Sequence, residues 1–153
     1  MSIKLSTGAW IAWLSTGSFK TVFTNGVIGI YSGGQPVDAN AVETGDLLAW
    51  LTVDGGDFVA GETANGLNLA TAAGATISKE AAEAWIGSFL TAGVMGYFRF
   101  YSNAKVVGAS EVAVRFDGRV GTSRADMIVV TTQATVGGSV TPTTFKLNFS
   151  IVA

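Results

Sequence analysis

Apolar residues change their rhythm once along this chain. Through the first 25 residues they recur at Trp10, Trp13 and Leu14, then at Phe19, Val22 and Phe23, the i, i+3, i+4 spacing of a helix. Ser6 or Thr7 is placed to cap the first turn, Gly17 interrupts, Ser18 is placed to cap again, and Asn25-Gly26 ends the segment. One broken helix or two short ones are therefore expected over residues 1–25. From Val27 onward strand-like runs alternate with turn clusters such as Gly33-Gly34, Gly55-Gly56, Asn65-Gly66 and Gly137-Gly138. Residues 26–153 are expected to form the β domain.

The runs differ in how many faces they bury. Phe145, Leu147, Phe149 and Ile151 alternate with Lys146, Asn148 and Ser150, which predicts a half-buried antiparallel strand. Val112, Val114 and Phe116 alternate in the same way and lead into Asp117-Gly118, read as a turn. Leu47 to Val53 and Val27 to Tyr31 are apolar on both faces, so each must lie between two layers or against a partner. Trp85 to Leu90 and Met95 to Tyr101 read as a hairpin linked by Thr91-Ala92-Gly93, with Lys79 to Ala82 leading in. The sum is a mainly β fold, an antiparallel β-sandwich or jelly-roll-like domain of about eight to ten strands with a short N-terminal helical segment.

Composition narrows the chemistry. Of 153 residues 48% are hydrophobic and 13% charged, against about 25% in an ordinary domain. With nine Lys and Arg, eleven Asp and Glu and a mean hydropathy of +0.43, the chain should fold rather than stay disordered. It has no Cys and no His, which removes thiolate chemistry, zinc-type sites and a histidine base, so an enzyme is not expected. Dispersed basic residues supply no phosphate-tracking groove, and nucleic acid is not an expected partner. The apolar start Gly8 to Leu14 is read as mature structure rather than a signal peptide, and no segment is expected to span a membrane.

Few side chains suggest a site, and no catalytic, cofactor-binding or metal-ligating residue is assigned. Asp54-Gly55-Gly56-Asp57 sets two carboxylates across glycines, but a calcium loop needs more oxygens and an ordinary hairpin turn is the stronger reading. Asp117, Arg119, Arg124 and Asp126 are expected to form structural ion pairs. Tyr97, Arg99 and Tyr101 fall on one strand face, an aromatic and cationic patch able to stack on a sugar or anchor an interface. Trp10, Trp13 and Leu14 share a helix with no charge between Lys4 and Lys20, so that helix is either buried by the sheet or docked on another chain. The glycosylation sequon Asn148-Phe149-Ser150 sits on the final strand and is discounted.

Several stretches carry a resemblance: Leu5-Ser6-Thr7-Gly8, the run from Gly26 to Pro36, Asn65-Gly66-Leu67-Asn68-Leu69, Gly96 to Tyr101, and Phe116 to Ser123. In this order, with a closing apolar strand, the chain resembles small β-rich virion proteins of tailed bacteriophages over nearly its whole length. The resemblance implies a structural component made in the host cytoplasm and placed on the capsid exterior. As a capsid decoration or cement protein it would bind the major capsid protein, or another virion protein, and further copies of itself as a homo-oligomer. A carbohydrate- or receptor-binding module of the virion exterior, and a tail or head–tail connector component, are the alternatives. The charge deficit fits such a subunit, because it is concentrated in the helix, the two doubly apolar strands and the span 127–145.

Overall fold

A computed structural model describes residues 3–149 of the chain. Its elements in order are β1 (Lys4–Leu5), α1 (Thr7–Ser15), α2 (Phe19–Val22), β2 (Val27–Tyr31), β3 (Leu47–Val53), β4 (Thr76–Ser78), β5 (Trp85–Ser88) and β6 (Gly93–Val94). These are followed by β7 (Tyr97–Tyr101), β8 (Arg115–Gly121), β9 (Met127–Ile128), β10 (Gln133–Ala134), β11 (Ser139–Val140) and β12 (Thr144–Asn148). The fold is mainly β and sandwich-like, with a short N-terminal helical segment.

The helical segment follows its local signals. Ser6 caps α1 by accepting from the Ala9 N–H at 3.0 Å, and Ser18 caps α2 by accepting from the Thr21 N–H at 3.1 Å. Asn25 closes the segment in the left-handed region at φ 55°. Phe19 and Phe23 drop into the core beside Phe116, and β1 pairs with β8, so helices and sheet share one core.

The main sheet runs β11-β5-β3-β2-β7-β8-β9-β12-β4, with β1 added on β8, while β6 and β10 form a separate pair. Every pairing is antiparallel except β8 with β9, which is parallel. The sheet curls until Trp85 of β5 meets Phe145 of β12 with ring centroids 4.9 Å apart. Inside the curl lie Ile28, Ile30, Phe98, Phe100 and Phe116. β2 and β3 occupy the ranges the doubly apolar runs predict, and β2 is buried at all five positions.

Two expectations are corrected. The segments 85–90 and 95–101 do not pair with each other: β5 pairs with β3 and β11, and β7 pairs with β2 and β8. β7 is buried at all five positions, and its full-length register with β2 and β8 sets it in the middle of the sheet, away from β5. Asp117-Gly118 is not a turn but the middle of β8, where Gly118 faces Phe98 of β7. A Cβ at Gly118 would lie 2.4 Å from the Phe98 ring, so glycine is required by close packing. The strand begins at Arg115, because Val112 and Ala113 turn their N–H groups onto Ser110 Oγ. In β12 Phe145 and Leu147 are buried and Lys146 and Asn148 exposed, as the alternation requires; Ser150 and Ile151 lie outside the described residues.

Candidate interface and the buried charge cluster

The outer face of β2, β7 and β8 carries Tyr31, then Tyr97, Arg99 and Tyr101, then Arg115 and Asp117, brought side by side by the strand register. Tyr97, Arg99 and Tyr101 are not a surface patch. All three are fully buried beneath the irregular segments 32–46 and 102–114, so no stacking platform is exposed there. Polar side chains on the outward face of a strand normally meet water; here they meet backbone carbonyls of the covering loops.

Asp117 grips Arg99 with both oxygens, at 2.5 Å from Nε and 2.8 Å from Nη2. Arg99 Nη1 donates to the Ala41 carbonyl at 2.8 Å and to Glu43 at 3.1 Å. Arg115 donates to the carbonyls of Ala39 and Val106 at 2.7 and 2.8 Å and stands 3.7 Å from Glu43. Glu43 also accepts from the Tyr101 hydroxyl at 2.7 Å and the Gly108 N–H at 2.9 Å. Tyr31 and Tyr101 join their hydroxyls at 2.6 Å, and Tyr97 accepts from the Thr44 N–H. Two cations and two anions thus hold both loops onto the sheet, and among the described residues no buried side-chain nitrogen or oxygen lacks a partner.

The environment tunes these groups in consistent directions. Burial pushes Tyr31 up to about 12, and it raises Tyr97 and Tyr101 as well. Burial alone would lower Arg99, but the hydrogen bonds and charge of Asp117 reverse this and hold it above its ordinary value. Arg115 is lowered by burial and by neighbouring Arg99. Glu43 would be raised by burial, yet bonds from Tyr101, its own backbone and Gly108 bring it below 4.5. Burial raises Asp117 against the pull of Arg99, and the bidentate geometry is that of an ionised pair. With its donors and acceptors turned on one another, this cluster works as a clamp.

The Asp54 and Asp57 pair lies elsewhere. Asp54 and Gly55 are left-handed at φ 54° and 70°, and the Gly56 N–H donates to the Val53 carbonyl at 3.0 Å, closing a tight turn. That turn ends β3 without making a hairpin, since the next strand, β4, pairs with β12. Among the described residues no three acidic side chains are grouped to hold a metal ion. Asp117 pairs with Arg99 rather than with Arg119 or Arg124, and Asp126 accepts from the Arg119 backbone N–H.

The helix candidates lie at the surface. α1 buries Gly8 and Ala9 and turns Trp10, Ile11 and Leu14 to solvent at 44, 60 and 77% exposure. Trp13 is half-buried, stacked on Trp10 at 5.5 Å and edge-on to Phe19 and Phe149. Trp10, Trp13, Phe19, Ile77 and Phe149 line a groove of about 700 Å³ with Lys20 at its border. The structure therefore brings Trp10, Trp13 and Leu14 together and puts Tyr97, Arg99 and Tyr101 in the interior. Glu43, Arg115 and Asp117 were not singled out by sequence as a site; the signal for two of them is the matching alternation of 97-99-101 with 115-117. No family model, curated protein or solved structure matches this chain.

Proposed function

We propose that the protein is a non-enzymatic structural subunit of a tailed-phage virion, a capsid decoration or cement protein that binds the major capsid protein and copies of itself. The observation that carries this reading is α1, which is seated by Gly8 and Ala9 and presents Trp10, Ile11 and Leu14 outward. Exposed apolar surface of this kind marks a contact with another chain. The titratable cluster that an enzyme would need open is closed on itself beneath two loops. The phage setting comes from the resemblance, which runs through strand and turn residues. No exposed aromatic-cationic platform at 97–101 supports the sugar-binding alternative.

Cosedimentation tests the reading. Purified full-length protein mixed with capsids that lack it should pellet with them to a saturating stoichiometry. Protein left in the supernatant at every concentration would overturn it.

A further inference from the structure

The surface around α1 is polarised along the helix. At its N-terminal end the Thr7 N–H donates to Asn40 Oδ1 at 2.8 Å, Gly8 packs against the Val112 carbonyl, and Asp38 and Glu111 line one shallow hollow with Asn40. Beyond its C-terminal end stands Lys20, exposed, its amine donating a long bond to Thr71 Oγ1 at 3.3 Å. Between these poles lie Trp10, Ile11 and Leu14, and no charged residue occurs from Lys4 to Lys20.

An acidic pole, an apolar middle and a basic pole in that order make a strip complementary to itself when turned end for end. From this we infer that two copies of the chain pair through α1 about a two-fold axis, the helices antiparallel, so that Lys20 of each copy meets Glu111 and Asp38 of the other. The arrangement is isologous and each charge contact occurs twice. Antiparallel helices also set opposite dipole ends beside each other. A head-to-tail contact would bring the poles together once per interface and leave one helix face uncovered. This deepens the reading above, on whose self-association it rests, by naming a second copy as what covers α1.

Sedimentation equilibrium of the full-length protein over a concentration series gives the test. Wild type should fit a monomer–dimer equilibrium, and Leu14→Asp should leave only monomer. Lys20→Glu and Glu111→Lys should each weaken the dimer about tenfold, since two exposed contacts turn from attraction to repulsion. The double variant Lys20→Glu/Glu111→Lys should return to within about threefold of wild type. Unchanged thermal unfolding of the variants controls for folding. A wild-type monomer at every concentration, a trimer or larger ring, or a double variant as weak as its parents combined would overturn the pairing. A monomer that still cosediments with capsids sinks the pairing alone; a dimer that ignores capsids sinks the capsid reading and leaves the pairing standing.

Discussion

Arg99 is the residue on which the outer face depends. Its side chain is fully buried, and its charge is tolerated because Asp117, Glu43 and the Ala41 carbonyl surround the guanidinium. Removing one partner leaves an uncompensated buried charge, so Asp117→Ala should cost about 3–5 kcal/mol in denaturant unfolding. A loss below about 1 kcal/mol would mean that the pair is hydrated. The three tyrosines of the sequence, Tyr31, Tyr97 and Tyr101, all belong to this cluster and all titrate above 10.0. Their contribution to stability is complete below pH 10 and is lost as pH rises through the folded values, about 12 for Tyr31, because the unfolded chain releases its phenolic protons first. Tyrosinate absorbance should therefore appear together with unfolding; ionisation in a still-folded protein would place the rings in solvent. Glu43 has the opposite sense. Its lowered value gives stability present above 4.5 and lost as pH falls through the folded value, so Glu43→Gln should flatten the acid limb of the stability curve. The raised Asp117 acts against that slope, and part of its rise comes from the charge of Glu43, so the variant reads the coupled pair.

At the scale of elements, what was legible was what is local. Caps at Ser6 and Ser18, the stop at Asn25 and the ranges of β2 and β3 follow from side chains within a few residues of one another. Pairing and cover are not local. Asp117-Gly118 carries the chemistry of a turn, and it is the Phe98 ring and the Ile3 side chain, both distant in sequence, that require a strand glycine there. The face of Tyr97, Arg99 and Tyr101 has the polarity of an exposed one, and its cover comes from segments 32–46 and 102–114, which stay irregular although Val112 and Val114 alternate as a strand would. Gly8 shows the same conflict between local and tertiary demands. A helix interior favours Ala over Gly by about 1 kcal/mol, yet a Cβ at Gly8 would lie 2.3 Å from the Val112 carbonyl oxygen. Gly8→Ala should thus lower the melting temperature and loosen α1 from the sheet, measured by thermal unfolding and amide exchange. A higher melting temperature would show that α1 is not seated there.

For the molecule as a whole, scarce charge has two sources. The curled sheet buries apolar residues inside and a neutralised charge cluster outside, which accounts for β2, β3 and β7. Much of the remainder is exposed: Trp10, Ile11 and Leu14 on α1, Val37, Val42, Val107 and Val112 on the two covering loops, and Val130 and Val136 in the span 127–145. Val37 and Val112 are 82 and 85% exposed, so the loops that close over the cluster carry large apolar side chains outward beside Asp38 and Glu111. Such a surface on more than one side suits a subunit packed among others in a particle, the role proposed above. The most direct measurement is the copy number and position of the protein in purified virions, by quantitative mass spectrometry with cryo-electron microscopy. The proposed role predicts many copies distributed over the head at symmetry-related positions. Absence from the particle, or a single ring confined to the tail or neck, would contradict it.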